Sequence, residues 1–369
     1  MKKILLVLGT RPEAIKMAPL IKELKSSKSL EIKVLVTAQH RQMMDSVMEL
    51  FKIIPDFDLD LMKPSQDLAD ITSKVLSGCR DIFNLWKPDL VLVHGDTTTS
   101  MAGALSAFYF KIPVGHVEAG LRTFDIYSPF PEELNRQITS RIAKYHFCPT
   151  KISQQNLIKE GISEEFAPIT GNTVIDALFE SKKMLNEMDF KNNPIPYLPS
   201  NRRFVLITGH RRENFGEGFL NICQAISSLA EKFPEIDFVY PVHLNPNVQG
   251  PVHKMLNSKS NIKLLPPLDY LPFVYLMDKC YLILTDSGGV QEEAPSLGKP
   301  VLVMRSTTER PEAVEAGTVK LVGSNFQMII DNVSELLNDS NKYDNMKRSI
   351  NPYGDGKACH RIRTFIENL

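Results

Sequence analysis

The chain alternates short apolar runs with longer amphipathic stretches. Residues 4–8, Ile-Leu-Leu-Val-Leu, form the first run. Continuous apolar runs of this length, bounded by turn residues, read as strands buried on both faces of a parallel sheet. The same signal recurs at residues 32–37, 90–94, 113–117 and 144–148. Thr10-Arg11-Pro12-Glu13 fits a capping box opening a helix that runs through Lys16 to about residue 24. Gln39-His40-Arg41-Gln42 opens a second helix, residues 68–86 read as a third, and Gly95 to Ser100 opens the one after the 90–94 run. The alternation lapses over 189–203, D-F-K-N-N-P-I-P-Y-L-P-S-N-R-R, where prolines and asparagines predict a linker. It restarts with strands at 204–208, 237–241, 262–265, 281–285, 301–304 and 319–321. Two successive βαβ series predict two doubly wound, Rossmann-like α/β domains.

In such sheets ligands lie beyond the carboxyl ends of the strands. The conspicuous polar residues fall there: Thr10 and Arg11, Asp96, Glu118, His210, His243, and Ser287 to Gly289. They come from both halves, so the expected site is the cleft between the domains. The richest stretch is D-S-G-G-V-Q-E-E-A-P-S-L-G-K-P-V-L-V-M-R-S-T-T-E-R-P-E, residues 286–312, which follows the 281–285 strand. Glycines at a strand-to-helix turn give an anion access to backbone N–H donors. Glu293 lies one turn on, suited to a ribose, and Arg310 offers a second charge to a diphosphate. Pro295 removes one backbone bond from the helix it interrupts. The alternative reading of Ser-Gly-Gly alone is an ordinary turn, with Arg310 on the surface.

Composition narrows the function. With 369 residues, 43 Lys plus Arg and 43 Asp plus Glu, the chain is long enough for two cores and has no global field for nucleic acid or membrane. The five cysteines are scattered, which argues against a disulfide framework or a zinc site and fits a reducing compartment. The apolar start of the chain stops at Gly9, too short for a signal peptide core, and no run approaches a membrane span, so a cytoplasmic protein is expected. G-x-G-x-x-G, the P-loop and H-E-x-x-H are all absent, so neither a dinucleotide, a phosphate-loop ATPase nor a metal is expected. What remains is a set of carboxylates (Asp96, Glu118, Glu132, Glu133) and a set of cations (Arg11, Lys16, His210, Arg211, Arg212, Arg310). Several have a structural alternative. Asp96 is placed to cap the following helix, Glu118 to sit in a turn, and Glu132 and Glu133 to complement a helix dipole. His94 and His116 read as structural.

Taken together, H-G-D-T-T-T-S, H-V-E-A-G-L-R-T, P-F-P-E-E-x-N-R, G-H-R-R-E-N-F-G and D-S-G-G-V-Q-E-E closely resemble the non-hydrolysing UDP-N-acetylglucosamine 2-epimerases of bacteria and archaea. The resemblance extends from G-T-R-P-E-A-I-K to N-P-Y-G-D-G-K-A, nearly the whole chain. It implies a GT-B fold of two Rossmann-like domains facing across a cleft, the first spanning 1–175 and carrying the catalytic carboxylates, the second spanning 176–354 and binding UDP. A final helix, 355–369, would cross back to the first domain. It further implies interconversion of UDP-GlcNAc and UDP-ManNAc without NAD or metal, a homodimer, and a product feeding surface polysaccharide synthesis. By motif, Asp96, Glu118, Glu132 and His210 match catalytic positions. Arg11, Lys16, Leu268, Phe273, Ser287, Gly288, Gly289, Glu293 and Arg310 match the UDP contacts, with Leu268 and Phe273 beside the uracil. Some relatives are activated by UDP-GlcNAc at a second site, matched here by Gln39, His40, Gln42, Glu132, Arg211 and His243, with Ser65 where some relatives carry an arginine.

The chemistry follows from the sugar. The C2 proton of GlcNAc lies beside no carbonyl, so direct abstraction is costly. Losing UDP from C1 together with that proton gives 2-acetamidoglucal, and re-addition with protonation on the opposite face inverts C2. This needs proton donors and acceptors on both faces and stabilisation of the departing diphosphate, which clustered carboxylates and the cations can supply. Three rivals remain: a GT-B glycosyltransferase passing the sugar to an acceptor, a hydrolysing epimerase releasing ManNAc plus UDP, and a non-catalytic nucleotide-sugar sensor.

Overall fold

The structure is a computed structural model that describes residues 1–38, 41–63, 66–188, 202–348 and 350–369, side chains of residues 42 and 43 excepted. The chain divides into two compact units, Met1–Glu180 with Tyr353–Leu369, and Ser181–Pro352.

Six strands build the first unit: β1 (Lys2–Leu8), β2 (Leu30–Val36), β3 (Phe57–Asp58), β4 (Leu90–His94), β5 (Val114–Val117) and β6 (Tyr145–Phe147). They lie in the order β3-β2-β1-β4-β5-β6, and every pairing is parallel. The second unit repeats the plan with β7 (Phe204–Thr208), β8 (Asp237–Pro241), β9 (Ile262–Leu265), β10 (Leu282–Thr285), β11 (Val301–Val303) and β12 (Val319–Leu321). Its order is β12-β11-β10-β7-β8-β9, again all parallel. Both sheets are the doubly wound type, in which the winding reverses between the first and fourth strands. That point lies between β1 and β4 in one unit and between β7 and β10 in the other.

The central strands are apolar throughout because helices cover both faces. Leu5, Val7, Val91 and Val93 pack with Val75, Cys79 and Phe83 of the helix Leu68–Leu85 in the first unit. Val205, Ile207, Leu282 and Leu284 pack with Ile222, Ile226 and Leu229 of the helix Glu217–Lys232 in the second. Each fully buried Leu, Ile or Val contributes about 1.5–3 kcal/mol of transfer free energy, so these layers fix the positions of the loops that carry the polar residues. The helix Ala358–Glu367 belongs to the first unit: Asp176 accepts from the N–H groups of Ala358 and Cys359, and Phe365 meets the rings of Tyr145 and Phe147 edge-on.

Periodicity located all of the strands but one. β3 holds two residues, paired with Leu35 and Val36 at the sheet edge, and two residues carry no period to read. The stretch 144–148 is shorter as a strand than expected, Tyr145–Phe147, because Cys148 forms only an isolated bridge to Ile169.

Candidate functional site

The first unit gathers its polar residues where its sheet winding reverses. Thr10 caps the helix Arg11–Lys25, and Glu13 completes the capping box. Glu13 does more than cap. Its Oε2 accepts from the N–H groups of Gly9 (3.0 Å) and Thr10 (2.8 Å), and its Oε1 accepts from the hydroxyls of Thr97 (2.7 Å) and Ser100 (2.8 Å). One buried carboxylate therefore ties the turn after β1 to the turn after β4. Burial pushes its pKa up, opposed by the hydroxyl and amide donors. Arg11 stands half-buried on this turn, and Asp96 lies on the other.

Asp96 follows Gly95, whose φ of +64° lets the chain leave β4 sharply. Its Oδ2 accepts from Arg136 Nη2 (2.6 Å) and Nε (3.0 Å), and its backbone carbonyl accepts from Asn135 Nδ2 (2.9 Å). Arg136 is in turn fixed by Glu133 (3.0 Å), which is fully buried and also accepts from the N–H groups of Thr123 and Phe124. The two adjacent glutamates on the helix Glu132–Ile142 thus part company. Glu133 is a strut, whereas the buried Oε2 of Glu132 has no hydrogen-bond partner among the described residues.

Glu118 leaves β5 with φ +62°, a left-handed conformation that costs a non-glycine residue about 1–2 kcal/mol. Gly120, two residues on, has φ +91°, and a Cβ there would meet Ser153 O at 2.2 Å. The side chain of Glu118 is buried, paired with the Lys16 ammonium, and accepts from Asn172 Nδ2 (2.7 Å). His94 Nε2 stands 3.9 Å from it. Burial lowers His94 to about 4, with Glu118 pulling the other way, so the ring is neutral near pH 7. Lys16, expected among the UDP contacts, is drawn to a carboxylate of its own unit.

The second unit does the same between β7 and β10. Asp286, at the end of β10, is fully buried, and its Oδ2 accepts from the N–H groups of His210 (2.9 Å) and Arg211 (2.8 Å) beyond β7. Sequence reasoning treated Asp286 only as the start of D-S-G-G. A carboxylate closing an apolar strand is the signal that could have marked it, as it marked Glu118. His210 stacks on His243 with centroids 5.2 Å apart.

After Asp286, Ser287 turns the chain into the helix Gly288–Glu293, which tightens into a 3-10 turn at Ala294–Leu297 and ends at Gly298 with φ +66°. Pro295, which lacks an N–H, sits in the tightened segment, as its chemistry requires. Ser287 N–H donates to Thr285 Oγ1 (2.9 Å), so of the three N–H groups expected to meet an anion, this one is already engaged. Gly288 is small for a reason: a Cβ there would lie 2.8 Å from Arg310 Nη1. Arg310 lies over that turn, its Nε held by the buried Glu292 (2.7 Å) and its Nη1 3.5 Å from Glu309. Burial alone would raise Glu309, but Arg305 and Arg310 bring it down to about 2. Glu293 Oε1 accepts from Tyr270 OH (2.7 Å) at the start of the helix Tyr270–Lys279, which also carries the half-buried Phe273; Leu268 lies just before it.

Of the remaining expected residues, Gln39, His40, Ser65 and the side chain of Gln42 lie outside the described residues, as does most of the 189–203 linker. Arg211 is half-buried and His243 exposed.

The family model for UDP-N-acetylglucosamine 2-epimerase matches residues 22–367. The chain belongs to this family. It is 57% identical over 370 residues to the UDP-N-acetylglucosamine 2-epimerase of Yersinia pestis, covering 99% of this chain and 98% of the relative. It is 55% identical to that of Escherichia coli K12 over the same span and with the same coverage. Among solved structures, the epimerase of Neisseria meningitidis bound to UDP-GlcNAc matches with a TM-score of 0.93 and 53% identity over 100% of both chains. The Methanocaldococcus jannaschii enzyme in complex with UDP-GlcNAc and UDP matches with a TM-score of 0.84 and 35% identity, again over 100% of both. The fold is the two-domain GT-B type of these epimerases.

Proposed function

We propose that the chain interconverts UDP-GlcNAc and UDP-ManNAc by eliminating UDP across C1–C2 and adding it back to the other face of 2-acetamidoglucal. The observation that carries this reading is the pair Asp96 and Glu118 at the carboxyl ends of adjacent strands, each held by a cation, with the open carboxylate oxygen of Glu132 in the same unit. Fixed carboxylates suit proton transfer at carbon, because their orientation is settled before the sugar arrives. Asp96, Glu118 and Glu132 share the removal and return of the C2 proton. The departing β-phosphate is stabilised by His210, Arg11 and Arg310 and by the Gly288 and Gly289 amides, while Ser287 contributes its hydroxyl. Glu293 holds the ribose, Leu268 and Phe273 flank the uracil, and Lys16 serves the diphosphate through its position beside Glu118.

The reaction needs neither NAD nor a metal, since the electron pair of the C2–H bond forms the C1–C2 double bond of the glycal while UDP departs with the pair of the C1–O bond. The product supplies surface polysaccharide synthesis in the cytoplasm; no helix among the described residues is long and apolar enough to cross a membrane. UDP-GlcNAc also activates the enzyme through Gln39, His40, Gln42, Glu132, Arg211 and His243. Activation predicts that conversion of UDP-ManNAc alone is slow until traces of UDP-GlcNAc are added; hyperbolic rates from time zero would exclude it.

One NMR time course in D2O with UDP-GlcNAc tests the central claim. Expected are UDP-ManNAc, deuterium at C2 of both sugars, and a loss of exchange by at least about 100-fold in Asp96→Asn, Glu118→Gln and Glu132→Gln. Stoichiometric release of free sugar would instead indicate hydrolysis, and wild-type exchange in all three variants would reject the assignment.

A further inference from the structure

Asp286, a buried carboxylate at the end of a strand in the second unit, has no task in the mechanism above. It is 0% exposed, at the end of an apolar strand. Only half of it is satisfied. Oδ2 takes the N–H groups of His210 and Arg211, with Asn214 Nδ2 further off at 3.4 Å. Oδ1 is buried and has no hydrogen-bond partner among the described residues. A buried carboxylate oxygen left unmatched is destabilising, and the polar group facing it is His210 Nδ1, at 3.6 Å. That gap exceeds a hydrogen bond. The His210 side chain is 41% exposed, however, so a small turn of the ring closes it, and links of this kind are commonly long before a ligand arrives.

We infer that Asp286 is a positioning residue for His210: its Oδ1 receives the Nδ1 proton, which fixes the ring and aims Nε2 away from the sheet toward the diphosphate. The inference rests on the reading of His210 as the group that stabilises the leaving phosphate. The same carboxylate fixes the His210 main chain and begins the Ser287–Gly289 turn, so the histidine and the phosphate-facing turn share one anchor.

The electrostatics give the link a second purpose. To stabilise a departing phosphate, Nε2 must carry a proton while Nδ1 stays bonded to Asp286, which means an imidazolium. Burial lowers the pKa of His210, and the stacked His243 and the adjacent Arg211 lower it further. Asp286 is the group that opposes all three. Burial still outweighs it, so the ring lies below its ordinary value; without Asp286 it would be lowered further, and Nδ1 would be free to act as an acceptor.

Asp286→Asn separates this role from a structural one. The amide oxygen keeps the two N–H bonds, while the amide nitrogen presents a donor to Nδ1 and favours the opposite tautomer. Nitrogen-15 spectra of the imidazoles, with His210 assigned by loss of its signals in His210→Asn, should show Nδ1–H and bare Nε2 for neutral His210 in the wild type. The reverse tautomer should appear in Asp286→Asn. The kcat of Asp286→Asn should fall by about tenfold or more, more than KM rises. The alkaline limb of its kcat–pH profile should move to lower pH, because a histidine acting as its cation loses its proton earlier once its carboxylate is gone. An Nε2–H tautomer in the wild type overturns the inference without any variant. An unshifted pH limb in Asp286→Asn, with His210→Asn inactive, also overturns it. If His210→Asn itself keeps full activity, the role of His210 fails instead, and the tautomer spectra still decide whether Asp286 orients the ring.

Discussion

Single residues carry several of the tightest constraints. Gly288 is one: the Arg310 guanidinium occupies the space a methyl would need. Gly288→Ala should therefore displace Arg310 and weaken UDP binding by about 1.4 kcal/mol or more, a tenfold rise in Kd; calorimetric titration with UDP measures it, and an unchanged Kd would remove Arg310 from the diphosphate. Buried histidines set a second constraint. His94 and His146 are lowered to about 4 and His116 to about 3, in each case chiefly by burial. Their folded pKa values lie below the ordinary value near 6.5, so the unfolded chain binds protons first as pH falls. Stability is expected to hold above about pH 6.5 and to fall toward pH 4, each ring contributing up to about 1.4 kcal/mol per pH unit. In urea melts, His116→Gln should show a shallower fall across that window; an identical slope would contradict neutral burial of this ring.

Among elements, the connection that matters most joins the loop after β4 to the helix Glu132–Ile142. Arg136 bridges Asp96 and Glu133, so P-F-P-E-E-L-N-R works as a bracket for H-G-D. Arg136→Lys keeps the charge but loses the forked geometry, and it should lower kcat with little change in UDP affinity. The effect should be non-additive with Asp96→Asn, the double variant being little worse than Asp96→Asn alone. Simple additivity would show that Arg136 does not act through Asp96. The sequence put both glutamates at a helix start only as a structural alternative to catalysis. It could not say which glutamate would turn inward, because Glu132 and Glu133 are adjacent and the choice is made by the backbone amides of Thr123 and Phe124.

At the scale of the molecule, two units of the same winding each present polar loops where the strand order reverses. If one nucleotide sugar is served by residues of both, saturating UDP should change the small-angle scattering profile, and an unchanged profile would count against shared binding. The same data give the particle mass, which should be that of two chains if the enzyme is the expected homodimer. Apolar runs bounded by turn residues were enough to determine the fold class, because a strand covered on both faces has no alternative composition. Motifs at strand ends were enough to nominate Asp96, Glu118, His210 and the Ser287–Gly289 turn. Only the tertiary structure decided the partners: Arg136 for Asp96, Lys16 and Asn172 for Glu118, Glu292 for Arg310, and Asp286 for His210. The reason is physical. Strand and helix periods are local, read within a few residues, whereas a buried charge is satisfied by whatever the packed layers bring beside it, here from 18 to 102 positions away along the chain.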